Sequence, residues 1–147
     1  MLAYDPSTNP LNNNEWAFPL AECVHIAATA LSIGTIMLVD LRLLGLGLRE
    51  QTASQLLRDT ELWTLTGLVF VISSGLVIFS ADPAMYIRNG AFVFKVSALL
   101  VAIVYNYTVH RKVASANPSS LASGVVASVS LALWFSLVVA AIFIAFV

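Results

Sequence analysis

The chain has 147 residues, of which 59% are hydrophobic and 10% are charged. A soluble domain is usually about 45–50% apolar, so this composition excludes an ordinary soluble fold and indicates an integral membrane protein. The net charge is −1, and no basic cluster indicates a nucleic-acid partner. The single cysteine, Cys23, excludes an internal disulfide, and we expect it to be a buried structural thiol.

Residues 1–15 form a polar segment ahead of the first apolar stretch. They contain no Lys or Arg and no apolar core, in contrast to a secretory signal peptide, so we expect the first helix itself to direct membrane insertion. The prolines and asparagines of this segment predict an irregular strap over one face of the membrane. The sequence thus divides into a strap at 1–15 and a membrane domain at 16–147.

Four apolar stretches of the membrane domain reach about the 20 residues that a helix needs to cross the hydrocarbon core. They cover residues 16–41, 62–81, 90–110 and 120–146. We therefore predict an all-α fold, a polytopic membrane bundle of four helices. Because these helices use nearly the whole chain, little remains for a soluble catalytic domain, and the sequence does not indicate an enzyme that acts on its own.

The first helix carries ionisable residues that a simple membrane anchor does not need. Glu22 and Asp40 lie eighteen residues apart, which at about 100° per residue places them on one face, and His25 lies within a quarter turn of it. Ionisable side chains in a membrane usually face a bundle interior or a water-filled cavity. This stripe predicts partner helices and a site. Beyond it, Gly45 and Gly47 mark a flexible exit from the membrane.

The connector at 48–61 mixes leucines with charged residues, which is typical of a short surface helix. The second helix follows, and its small residues would let a neighbouring backbone approach closely. These residues are Gly67, Ser73, Ser74 and Gly75.

The third helix contains Lys95, Asn106 and the terminal group His110, Arg111 and Lys112. The fourth helix has no charged residue but has small residues at four-residue intervals, which predicts a packing ridge for the chain's own bundle, for a second copy or for a larger membrane complex. The ridge comprises Ser120, Gly124, Ser128, Ala132, Ser136 and Ala140.

The basic residues predict the orientation of the helices. Most of them flank the first and third connectors, whereas Arg88 alone lies near the opposite face. The positive-inside rule then places both termini outside. In a bacterial inner membrane, both termini would be periplasmic. The residues near the two connectors are Arg42, Arg49, Arg58, Arg111 and Lys112.

Helices one and three run in the same direction, so their polar residues can be sorted by depth. An outer tier combines Glu22, His25 and Lys95, in which we expect an ion pair between Glu22 and Lys95. An inner tier combines residues that we expect to fix the topology, with His110 as an interfacial residue. The inner residues are Asp40, Arg42, Asn106, His110 and Arg111.

The outer tier supports several hypotheses. Glu22 and His25 could bind a metal ion such as copper or carry protons, because neutral imidazole does both. A b-type haem would need His25 together with a Met, a Lys or a histidine of a second subunit, since His110 lies roughly 20 Å deeper. In a purely structural alternative, the outer ion pair only locks helix one to helix three.

Three sequence features resemble a known group of proteins: Glu22-x-x-His25, the run Asp40-Leu-Arg42-Leu-Leu-Gly45, and Phe94-Lys95. They look like the small four-helix inner-membrane proteins of bacteria that are uncharacterised, and these are similar to the copper-resistance membrane domain CopD. The resemblance covers about residues 16–113. It implies an auxiliary membrane component that works beside periplasmic metal or redox proteins.

The sequence therefore predicts a membrane subunit with an outward-facing polar site that handles a metal ion or protons beside a partner. An electron-transfer subunit with haem or quinone is one alternative. A structural assembly subunit is another.

Overall fold

Four long helices make up most of the computed structural model, which describes residues 4–47, 50–116 and 120–146. The helices are α1 (Ala17–Leu43), α2 (Ala53–Phe79), α3 (Gly90–Ala116) and α4 (Ser120–Phe143). Each is long and apolar enough to cross a membrane. The described residues contain no strand, so the chain is an all-α, multi-pass membrane protein, as predicted.

The helices run alternately up and down, which gives the bundle two ends. At the terminal end α1 and α3 begin and α2 and α4 finish; Asn89 Nδ2 there donates to the Ile144 carbonyl at 3.0 Å. At the connector end lie the links from α1 to α2 and from α3 to α4. Helix α1 packs against α2 and α4, α4 packs against α3, and the last turns of α3 contact α2.

Apolar packing is concentrated between the middle of the bundle and the connector end. A central group contains Ile36, Leu68, Ala102, Trp134 and Leu137. A second group nearer the connectors contains Val39, Leu43, Ala53, Leu56, Ala114 and Ala127. Many other large apolar side chains point outward, as expected for a surface that faces lipid.

Helix α2 starts nine residues earlier than the sequence predicted, at Ala53 instead of residue 62. Thr52 caps it: the Gln55 amide donates to the Thr52 hydroxyl at 3.1 Å, and the Thr52 amide donates to the Gln55 side chain at 2.9 Å. This reciprocal pair satisfies amides that have no partner within the helix. The expected surface helix in the connector is therefore the first part of α2.

Helix α1 ends at a glycine turn, as its sequence indicated. Gly45 has a φ of 76°, a conformation that side chains with a Cβ rarely adopt. The Leu46 amide donates to the Leu41 carbonyl at 2.8 Å, and the Gly45 amide donates to the Arg42 carbonyl at 3.0 Å. These bonds satisfy the last carbonyls of the helix while the chain leaves it.

The strap is more ordered than its sequence predicted. A 3-10 turn (Pro6–Thr8) and a short helix (Pro10–Asn13) replace the irregular segment. Its asparagines bind the end of α2: Asn9 Nδ2 donates to the Ser80 carbonyl at 2.6 Å, and Asn12 Nδ2 donates to the Ala81 carbonyl at 2.9 Å. These carbonyls would otherwise lack intrahelical partners.

Cys23 is exposed on the side of α1. The prediction that it is a buried structural thiol is therefore wrong. A helix in a bundle of four has a large lipid-facing surface, and the position of a single apolar residue on that surface does not follow from hydropathy.

Helices α1 and α2 pack closely at Gly67. A Cβ at this position would overlap Ser32 Oγ and lie 3.1 Å from the Ala28 carbonyl oxygen. A side chain here would therefore displace the Ser32 hydroxyl and push the two backbones apart by a few tenths of an ångström. By contrast, a Cβ at Gly34 would meet no atom within 4 Å.

We expect Gly67→Ala to lower the stability of the purified protein by about 1–3 kcal/mol, because the added methyl group forces α1 away from α2. Gly34→Ala is the matched control and should be neutral or slightly stabilising, because alanine favours helix more than glycine does. Unfolding in mixed detergent micelles, followed by circular dichroism, measures both. Equal stability of the two variants would contradict the assigned role of Gly67.

Candidate functional site

The first polar cluster lies toward the terminal end and is centred on His25. Its Nδ1 lies 2.9 Å from Ser74 Oγ of α2. The Ser74 hydroxyl itself donates to the Phe70 carbonyl, so it accepts the hydrogen bond from His25 Nδ1–H. Gly75 makes room for the ring, since a Cβ there would lie 3.3 Å from His25 Cε1. The neutral ring is therefore protonated on Nδ1 and presents a lone pair at Nε2.

Lys95 of α3 faces that lone pair. Its Nζ lies 3.4 Å from His25 Nε2, a distance at which the lysine donates a weak hydrogen bond. Both side chains are half-buried. The His25–Lys95 pair thus links α1 and α3 through two titratable nitrogen atoms.

Glu22 does not form the ion pair with Lys95 that the sequence predicted. In the described part of the chain, the carboxylates in contact with a basic side chain are Asp40, hydrogen-bonded to His110, and Glu61, paired with Arg111. Glu22 is exposed. Burial, followed by the nearby charges of Glu22 and Asp82, raises the pKa of Tyr86 in the short helix Pro83–Arg88.

The donor set around His25 is small. The described residues contain no group of three or more His, Cys, Asp or Glu side chains that could hold a metal ion. The metal ligands predicted from the sequence have different surroundings. Glu22 is exposed, whereas His25 is inserted between helices.

A second polar cluster lies toward the connector end and is centred on Asp40, which is fully buried. Its Oδ1 accepts a hydrogen bond from His110 Nε2 at 2.7 Å, and its Oδ2 accepts one from Ser130 Oγ at 2.8 Å. Both oxygen atoms of the carboxylate are therefore paired, and α1, α3 and α4 are joined at one point. His110 is only 1% exposed, so it belongs to the interior and not to the interface, where the sequence analysis placed it.

Helix α3 changes its winding where it supplies His110. Residues Asn106–His110 form a π-helical turn, in which the Arg111 amide bonds to the Asn106 carbonyl five residues earlier. Such turns insert extra backbone into a helix and frequently occur at functional sites. The regular spacing assumed from sequence does not hold across this segment.

A cavity of about 20 Å³ adjoins the second cluster, between α1, α2 and α3. The ion pair between Glu61 and Arg111 lies on its lining, and these two side chains are 37% and 43% exposed. The other lining residues are Thr35, Ile36, Val39, Leu57, Thr60, Thr64, Asn106, Tyr107 and His110.

Arg42, which the sequence grouped with the inner polar residues, contributes to the connector instead. Its Nε donates to the Gln51 carbonyl, so the guanidinium holds the segment that follows the glycine turn. Asn106, by contrast, is buried beside the cavity.

Several residues of the two clusters were not identified from the sequence as site residues. Ser74 was noted only as a small residue, and Glu61 was assigned to a connector. Ser130 lies off the predicted small-residue ridge, on the face of α4 that is buried at Ser123, Ala127, Trp134 and Leu137. A spacing of three and four residues in α4 could have revealed this face.

Removal of the Asp40 carboxylate should destabilise the fold strongly, because His110 Nε2 and the Ser130 hydroxyl would lose their acceptor in the interior. We expect Asp40→Ala to cost about 3–5 kcal/mol and Ser130→Ala about 1–3 kcal/mol. Asp59 of α2 is exposed, and Asp59→Ala should change stability by less than about 0.5 kcal/mol. Detergent-induced unfolding gives all three values, and an Asp40→Ala protein as stable as Asp59→Ala would refute the structural role of the buried carboxylate.

Comparison with known proteins gives one family match. Residues 17–147 match the model of DUF6644, a family of unknown function. The matched region covers all four long helices, so the chain belongs to this family. Neither a curated protein nor a solved structure matches the chain, and the resemblance to CopD finds no support.

Proposed function

We propose that this DUF6644 protein is a membrane subunit that takes up and releases protons at the His25–Lys95 pair, beside a partner in the membrane. The supporting observation is the contact of 3.4 Å between His25 Nε2 and Lys95 Nζ. A proton can pass between these nitrogen atoms without movement of the backbone. Imidazole is the side chain best suited to proton exchange near neutral pH.

The surroundings of His25 favour protons over a metal ion. Lys95 donates to the lone pair that a metal would need, and its positive charge repels a cation at Nε2. Nδ1 is directed to Ser74 and is not free to act in its place. Copper binding would therefore require the pair to separate.

The haem alternative meets a similar obstacle. His110 is bonded to Asp40, which lies fifteen residues beyond His25 on α1. At 1.5 Å per residue this corresponds to about 22 Å along the helix, too far for one haem to bind both imidazoles. The Nε2 atom of each histidine also already contacts another side chain.

The distribution of basic residues predicts how the site is oriented in the membrane. The basic residues near the connectors are Arg42, Arg58, Arg111 and Lys112. The positive-inside rule therefore assigns the connector end to the cytoplasm. In a bacterial inner membrane, the His25–Lys95 pair would then exchange protons with the periplasmic side.

A partner helix is part of the same proposal. On α4, Ser128 and Ala132 are exposed and a Cβ at Gly124 would meet no atom within 4 Å, whereas Ala140 is buried against the bundle. One end of the ridge therefore packs inside the bundle. Its middle is exposed, and we propose that a second copy or a partner packs there. A groove of about 330 Å³ between α1 and α4 adjoins Ala132.

The proton proposal predicts a loss of activity that is specific to the pair. In detergent micelles that contain the purified protein, with a pH-sensitive dye in the surrounding solution, an imposed pH step should cause proton uptake or release by the pair. His25→Ala and Lys95→Met should abolish this part of the signal. Ser97→Ala changes an exposed hydroxyl on α3 that donates to the Val93 carbonyl of its own helix, and it should retain uptake.

The same preparation separates the alternatives. Stoichiometric copper or zinc that is present in the wild type and absent from His25→Ala would show that the pair binds a metal ion. A Soret absorption band would indicate haem. Uptake that is unchanged in folded His25→Ala protein would refute the proposal.

The partner surface predicts a change in assembly. Ala132→Leu adds bulk at the exposed middle of the ridge and should weaken self-association, whereas Val125→Leu, at another exposed position of α4, should have little effect. Cross-linking in bilayers at graded protein-to-lipid ratios measures both. Identical monomeric behaviour of the wild type and both variants would exclude a homo-oligomer.

A further inference from the structure

Three polar atoms beside the cavity are buried without a hydrogen-bond partner in the described part of the chain. They are His110 Nδ1, Asn106 Oδ1 and the Tyr107 hydroxyl. Buried polar atoms nearly always have a partner, because leaving one unpaired costs about 1–3 kcal/mol. All three residues line the same cavity, so a shared partner can account for them together.

The cavity has the size of one water molecule. Its volume is about 20 Å³. A site needs at least about 10–15 Å³, measured in this way, and two to four polar neighbours to hold an ordered water. The cavity meets both conditions.

The hydroxyl groups that line the cavity do not supply the missing partners. The one hydrogen of the Thr35 hydroxyl is shared between the Leu31 and Ser32 carbonyls. That of the Thr64 hydroxyl is shared between Thr35 Oγ1 and the Thr60 carbonyl. Thr60 Oγ1 donates to the Leu56 carbonyl. The hydrogen atoms of these groups are already used by acceptors in α1 and α2.

We propose that the cavity binds one ordered water molecule that bridges His110, Asn106 and Tyr107. His110 Nε2–H donates to Asp40, so Nδ1 of the neutral ring is an acceptor, as is Asn106 Oδ1. The water donates its two hydrogen atoms to these atoms and accepts one from the Tyr107 hydroxyl. A single molecule thus satisfies all three groups.

The donor and acceptor pattern distinguishes water from a cation of similar size. A sodium ion would contact the lone pairs of Asn106 and His110 but would leave the hydrogen of the Tyr107 hydroxyl without an acceptor. Water provides both donors and an acceptor.

The water gives the buried Asp40–His110 pair a connection to the connector end. Asp40 and His110 are sealed by the helices, whereas Glu61 and Arg111 line the same cavity and are partly exposed. Exchange of the bound water through this side links His110 Nδ1 to the outside of the bundle. This site does not depend on proton uptake at His25, which lies in the other half of α1.

Solid-state NMR of the full-length, isotope-labelled protein in bilayers tests the proposal, with water as the probe. Magnetisation should pass from water protons to the side chains of His110, Asn106 and Tyr107, and His110 should carry its hydrogen on Nε2. Tyr107→Phe removes one of the three partners of the water and should reduce the transfer to His110. Tyr105→Phe is the matched control, because the Tyr105 hydroxyl donates to the Val126 carbonyl and does not line the cavity.

Asn106→Leu provides a second variant, which fills the cavity with an apolar side chain and should abolish the transfer. Absence of transfer in folded wild-type protein would overturn the proposal. Transfer at full wild-type strength in Tyr107→Phe, or a His110 signal that depends on sodium concentration, would also overturn it. Reduced transfer in Tyr107→Phe and full transfer in Tyr105→Phe would support the bridging water.

Discussion

The burial of Asp40 imposes the strongest constraint on this fold. A carboxylate withdrawn from water is tolerated only when it is paired and hydrogen-bonded. His110 and Ser130 meet this requirement from two other helices. The loss of either partner would leave one oxygen atom of the buried carboxylate without a hydrogen bond. These contacts therefore hold α3 and α4 in register with α1. The apolar contacts around it are less specific, because in lipid they do not gain from the exclusion of water.

The two polar clusters differ in how closed they are. Asp40 and His110 are fully enclosed, whereas His25 and Lys95 are half-buried and, among the residues that the structure describes, have no carboxylate partner. A pair that is open to its surroundings can exchange protons or contact a partner, which is why the proposed function rests on His25. The enclosed pair can exchange protons with its surroundings only through another molecule, and the adjoining cavity has room for one water.

The sequence predicted the all-α class and the four helices, because the length and apolarity of each stretch are imposed by the thickness of the membrane. It did not predict the partners of the charged residues. Glu22 and Lys95 share a depth, yet depth says nothing about the direction in which a side chain leaves its helix. Lys95 turns to His25 and Glu22 remains exposed. Helix rotation depends on packing at residues such as Gly67, which has no signature beyond its small size.

The relation between the two clusters shows what depth along the helices predicts and what it does not. His25 and Asp40 are fifteen residues apart on α1, and Lys95 and His110 are fifteen residues apart on α3. Two parallel helices with equal rise therefore bring both pairs to matching depths. Matching depth is not sufficient, because the direction in which each side chain leaves its helix must match as well. The π-helical turn at Asn106–His110 changes the winding of α3 between these contacts, and a regular 100° step does not reproduce the direction of His110.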